Sequence, residues 1–185
     1  MDAWSCTSGS LFLTIAAFII SAYSSTNNFY VVPTDGNVTL CQLNPMTQCL
    51  TINQYAGDQD QYFRSNTVFI FLPGSHHLNS SLRLSDIQNI SFHGELTSTC
   101  ESATLFLYPN VTLSWTNGNQ IKIRSLSFIS VGNFEYRLVF VDVQSVSLGN
   151  VSIIGNGSGD GHSALACNSS VISITDSVFL EFVAN

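Results

Sequence analysis

The chain has 185 residues, 45% apolar and only 9% charged, with a formal net charge of −7. That is too apolar for a disordered chain, and Ser, Thr and Asn interrupt it too often for a bundle of membrane helices. The five basic residues (Arg64, Arg83, Lys122, Arg124 and Arg137) are scattered and offer no patch for phosphates, which disfavours nucleic acid as a partner.

Residues 1–24 read as a secretory signal peptide. Leu11 to Ile20 form an apolar core, and Ala22 and Ser24 supply small residues at −3 and −1 of a cleavage site, although the start of the chain has Asp2 and lacks Lys or Arg. A retained anchor would need about 20 apolar residues, twice this run, and no later run is longer, so no stable membrane span is expected. Cleavage removes Cys6 and leaves Cys41, Cys49, Cys100 and Cys167, an even number suited to an oxidising compartment. Residues 25–66 read as an N-terminal cap. Cys41 and Cys49 frame a small loop and are expected to form a disulfide, with Cα atoms about 4.4 to 6.8 Å apart. Ile52, Tyr55, Ala56, Tyr62 and Phe63 then come at roughly helical spacing, as in a short helix laid over the open apolar end of a stack of strands.

From residue 67 the chain repeats itself. "TVFIFLPGSHHL", Thr67 to Leu78, reads as a buried strand closed by Pro73-Gly74. "LRLSDIQNISFHG" places Leu82, Leu84, Ile87, Ile90 and Phe92 in alternating order and resembles Asp142 to Leu148. Ile121, Ile123, Leu126 and Phe128 overlay Val146, Leu148, Val151 and Ile153, 25 residues on, each set describing two short strands joined by a corner. A third copy carries Ile172, Ile174 and Phe179, with Ser177 in an apolar place, and the upstream copy is followed by an insertion of about six residues.

Further strands at Thr112, Leu138 and Ala164 give three per turn. A leucine-rich repeat would instead show a Leu/Asn ladder and a helical half. The expectation is an all-β, parallel β-helix (a solenoid) of about 3–5 coils over residues 67–185, each strand pairing with its equivalent one coil along at roughly 4.8 Å. With Leu105, Val139 and Leu165 taken as one register, Cys100 and Cys167 lie two coils apart and should not be bonded to each other.

The order "CLTINQYA", "YFRSNTVFIFLPGSHHLNSSLRLSDIQNISFHG", "IKIRSLSFIS" and "ITDSVFLEFVAN" resembles a group of secreted invertebrate proteins, abundant in sponges, with right-handed β-helix repeats of the pectate-lyase-like superfamily. The likeness spans about residues 29–185. Its most specific part is Tyr62-Phe63 followed by Phe71-Leu72-Pro73-Gly74-x-His76. It implies a right-handed solenoid and export. Such relatives continue into repeats of the polymorphic outer-membrane-protein kind, F-x-x-N-x-A followed by Gly-Gly. Phe179 and Ala184 match, but Phe182 stands where Asn is usual, so the C-terminal coil is expected to be truncated.

Seven N-x-S/T sequons occur, at Asn37, Asn79, Asn89, Asn110, Asn150, Asn156 and Asn168, against about 3.5 expected by chance, and several are expected to carry glycans. No catalytic or metal-binding set is expected, and no cofactor. Asp86, Asp142 and Asp176 sit at strand corners and Glu95, Glu101, Glu135 and Glu181 elsewhere, without the paired or clustered carboxylates of a glycosidase or a calcium-dependent lyase. "GSGDGHS", Gly157 to Ser163, resembles pieces of a polygalacturonase signature but reads more simply as a glycine-rich loop. His76 and His77 alternate faces on a strand and cannot readily share an ion. His93 reads as an exposed corner residue. Lys122 and Arg124 point outward. Tyr108, Trp115, Phe134 and Tyr136 are candidates for an outward aromatic row.

These observations suggest a secreted, N-glycosylated, non-catalytic surface or matrix protein for adhesion or recognition. Its partners would be extracellular glycans or proteins, or further copies met through the C-terminal coil. The alternatives are a polysaccharide-active β-helix enzyme (a lyase or glycoside hydrolase) and a fragment of a larger extracellular protein.

Overall fold

The structure, a computed structural model, describes residues 26–34, 49–95, 102–131, 136–155 and 163–180. It is an all-β parallel solenoid of about four turns, as the repeat requires. The first turn holds β3 (Thr67–Phe71), β4 (Gly74–Leu78) and β5 (Leu82–Ser85); the second, β6 (Ile90–Gly94), β7 (Ala103–Leu107) and β8 (Leu113–Thr116). The third holds β9 (Gln120–Arg124), β10 (Leu126–Ser130) and β11 (Tyr136–Val141), and the fourth β12 (Ser145–Gly149), β13 (Ser152–Ile154) and β14 (Ser163–Asn168). β15 (Ile172–Thr175) and β16 (Val178–Leu180) begin a fifth.

Stacking like strands makes three parallel sheets. The first runs β15, β12, β9, β6, β3, continued by β1 (Asn27–Val31) and β2 (Cys49–Leu50). The second runs β16, β13, β10, β7, β4, and the third β14, β11, β8, β5. The repeat's register is as read from the sequence: Ile121 pairs with Val146 and Ile123 with Leu148, while Phe128 faces Ile153 and Phe179 stacks beyond it. Ile90 joins the same row, 31 residues before Ile121, which accounts for the insertion.

Two expectations are corrected. Leu105, Val139 and Leu165 do not share a register. Leu105 lies in the second sheet against Phe128, whereas Leu165 lies in the third against Leu138, and Val139 faces Ala166. The connections from β7 to β8 (108–112) and from β10 to β11 (131–135) are alike, but that from β13 to β14 (155–162) is longer, so counting by a fixed period fails. Thr67 to Leu78 is two strands, because Pro73 lacks an N–H and turns the chain between sheets. Asn27–Val31 is itself a strand, in register with Thr67–Phe71.

Two short helices, α1 (Ile52–Gly57) and α2 (Gln59–Tyr62), precede the first turn. Thr51 and Gln54 form a capping box that satisfies the start of α1. Ile52, Tyr55 and Phe63 are buried, and the Tyr55 ring lies 5.5 Å from Phe69 and 5.6 Å from Phe29. The inward column continues as Phe92, Trp115 and Phe140, the last two stacked at 5.0 Å and 12°.

Candidate recognition faces

The corners decide where the faces begin. Asp86, Asn117, Asp142 and Ser169 close the third sheet, and Ser125, Asn150 and Asp176 close the first, all with φ between 49° and 58°. Asn and Asp tolerate this left-handed geometry better than other L-residues. Their side chains also pair along the rod: Asn117 Nδ2 donates to Asp86 Oδ1 (3.4 Å) and Asn150 Nδ2 to Ser125 Oγ (3.4 Å). Just before the first sheet, Asn89 Nδ2 donates to Asn66 Oδ1 (3.0 Å). Asp86 is thereby tied into the corner ladder.

Five sequon asparagines are described, and all are exposed: Asn79, Asn89, Asn110, Asn150 and Asn168. Four lie in the connections between strands, and Asn168 is the last residue of β14. Asn37 and Asn156 lie outside the described residues. So does Cys41, so the Cys41–Cys49 bond is not described; Cys49 itself is not a free thiol. Cys167 is free and exposed, opposite Phe140, and Cys100 lies outside the described residues.

The first sheet gathers charge that the sequence hid. Lys122 and Arg124 are both outward on β9, as alternation from Ile121 and Ile123 demands. His93 faces Arg124 across β6, and Ser91 faces Lys122. Three scattered positions in the sequence thus become neighbours on one sheet face, the cations Lys122 and Arg124 with His93 beside them. His93 is correspondingly not an exposed corner residue: it is half-buried within the sheet, its Nε2 enclosed and unpartnered. Burial first, and then repulsion from Arg124 and Lys122, holds its pKa below the usual histidine value. On the other side Arg124 faces Gly149, which puts no side chain in its way.

The second sheet presents two outward rows. Ser75, Thr104, Ser127 and Ser152 form one; His77, Phe106, Ile129 and Ile154 the other. The His77 ring stacks on Phe106 at 5.0 Å and 12°, and its Nδ1 lies 3.1 Å from the Tyr108 hydroxyl. His76 points inward and is fully buried, its Nε2 donating to the Leu72 carbonyl at 2.7 Å. The pair therefore occupies opposite faces, as expected. Of the expected aromatic row, Tyr108 is exposed and Trp115 is core. Phe134 and the Tyr136 side chain lie outside the described residues. Phe106 belongs to this row although sequence reasoning does not name it; its position one residue after inward Leu105 is the signal that marks it.

Two cavities are small. One, of 110 Å³, runs along the corner between Ser125, Asn150 and Asp176; the other, of 200 Å³, lies between α2 and β5 beside Gln59 and Arg83. Pockets for small molecules are typically about 300–1,000 Å³. Among the described residues, no group of three or more His, Cys, Asp or Glu could hold a metal ion, and no helix is long and apolar enough to cross a membrane. Asp160 and His162 of the glycine-rich loop lie outside the described residues.

These features define a class, the parallel β-solenoid with laterally exposed faces. Comparison of the chain with known protein families, curated proteins and solved structures finds no match.

Proposed function

We propose that this chain is an exported, N-glycosylated surface or matrix protein that recognises other extracellular molecules through the sheets of a non-catalytic solenoid. The observation that carries this reading is the placement of the sequons. Every described sequon asparagine is exposed at a corner or a strand end, so glycans would project from the edges and leave the sheets open. The involvement of Asp86 in corner pairing supports a structural role for that carboxylate over an acid–base one. The leader at residues 1–24 and the Cys41–Cys49 bridge belong to the same reading, and so does the likeness to secreted β-helix repeat proteins. The helices at Ile52–Gly57 and Gln59–Tyr62 then act as the lid on the first turn.

Expression of the full chain in cultured animal cells tests this. The protein should appear in the medium without residues 1–24 and lose mass on treatment with peptide N-glycosidase. Retention inside the cell without glycans would defeat the proposal. Calcium-dependent cleavage of acidic polysaccharide by the purified protein would favour the enzyme reading instead.

A further inference from the structure

The cationic cluster on the first sheet stands out against the rest of the molecule. The chain has twelve acidic and five basic residues, yet two of those five sit two residues apart on one strand face with His93 beside them. On the two strands to either side the outward positions include Ser91, Val68 and Ile70 on β6 and β3 and Ser147, Ser173 and Thr175 on β12 and β15, none of them a carboxylate. Among the described residues neither Lys122 nor Arg124 takes part in an ion pair. Gly149 keeps the far side of Arg124 bare: a Cβ there would lie 3.8 Å from Arg124 Cγ and 3.5 Å from Thr175 Oγ1. The guanidinium, exposed on this strip, retains its planar fork of donors for a carboxylate.

Two further features narrow the partner. Residues i and i+2 of an extended chain point the same way and lie roughly 6.6–6.8 Å apart, so carboxylates with that spacing match Lys122 and Arg124 as placed on β9. Two strands from the cations, on β3, the face turns apolar, with Ile70 opposite His93 and Val68 opposite Ser91. A nucleic acid would need a longer basic track on a less acidic protein, and a uniformly charged sugar polymer would need cations repeated along the face, where Val68, Ile70 and serines stand instead. We propose that the face centred on Lys122, Arg124 and His93 binds an acidic protein segment, two of its carboxylates engaging Lys122 and Arg124 while an apolar neighbour covers Val68 and Ile70. The proposal rests on the extracellular reading only for where that partner is met.

The test uses the full chain purified from the secretory host and a short capped peptide in which aspartates alternate with serines around one leucine. Affinity is read by calorimetry, and the contact site by amide chemical shifts. The peptide should bind, shift the β9 and β6 resonances, and weaken with added salt. The Lys122→Gln/Arg124→Gln double variant should bind about five- to thirtyfold more weakly, from the loss of two exposed charge pairs. Arg83→Gln, on the third sheet, should leave affinity unchanged. The Lys122→Glu/Arg124→Glu variant should instead bind the same peptide with lysine in place of aspartate, which shows that the altered face is still folded.

Absence of peptide binding overturns the proposal. So does equal binding of an asparagine version of the peptide, or equal loss in the Arg83→Gln variant. Binding of a sulfated polysaccharide without the peptide would assign the face to a different partner and likewise overturn it. The secretion and glycosidase assay is read separately, so failure of the extracellular reading is distinguishable from failure of this site.

Discussion

His76 is a histidine at a core position, in the inward row that continues through Leu105, Phe128 and Ile153. Burial, the larger effect, lowers its pKa against the opposing influence of the Leu72 carbonyl. Its Nδ1 is enclosed without a partner. The folded state thus holds it neutral, while an unfolded histidine titrates near about 6.5. A depressed histidine pKa means that the unfolded chain binds the extra proton first, so the stability His76 confers is complete above that value and is lost as the pH falls towards the folded pKa. Urea melts should therefore show lower stability at pH 5 than at pH 7, and His76→Gln should reduce that difference. A histidine resonance for His76 titrating at the ordinary value would contradict this. Gly94 is constrained by space rather than charge. A Cβ there would overlap the Ser125 carbonyl, so Gly94→Ala should destabilise the fold by about 1–3 kcal/mol through overpacking. Chemical denaturation measures it, and an unchanged midpoint would show that the corner can yield.

At the scale of elements, α1 is too short to stand alone and depends on the strands it covers. Tyr55 links the two. Its ring joins Phe29, Tyr62 and Phe69, and its hydroxyl donates to the Tyr30 carbonyl at 3.0 Å. Removing the ring in Tyr55→Ala should cost about 3–5 kcal/mol, whereas Tyr55→Phe should cost about 0.5–1.5 kcal/mol. A denaturation series that fails to separate the two would mean that the helix is not anchored by this ring. Burial also pushes the Tyr55 pKa up to about 12, so in an alkaline absorbance titration one tyrosine should ionise well after the exposed ones. In the neighbouring segment, mass analysis of the peptide spanning Cys41 and Cys49 should show the bridge, and two free thiols there would refute it.

For the whole molecule, the two ends differ. β1, α1 and α2 pack on the first turn, whereas the last described strands leave Ile174, Val178, Phe179 and Leu180 between 36% and 49% exposed. β14, β15 and β16 also stand at the ends of their sheets. Edges of this kind template pairing with another chain. We expect the purified chain to self-associate through this end in a concentration-dependent way, as measured by light scattering, and Phe179→Asp to suppress it. A monodisperse monomer with slow amide exchange across residues 171–180 would show these groups to be covered by other means.

The sequence by itself determined the solenoid, the register of its first sheet from β6 onward, and the stacking of β10, β13 and β16 in the second. Inward side chains must repeat wherever equivalent strands stack, so Ile121, Val146 and Ile172 are written in the same order as they pack. It also marked the corners, where left-handed backbone favours Asn and Asp, and with them the sequons. The third sheet's strands were legible near Thr112, Leu138 and Ala164, but their exact register and the place of Leu105 in the second sheet were not, because the connection from β13 to β14 is longer than those from β7 to β8 and from β10 to β11. The cationic face escaped for a related reason. His93 and Arg124 are 31 residues apart in the chain, and only the closing of a full turn sets them side by side, at the spacing of hydrogen-bonded strands rather than at any interval a linear pattern displays.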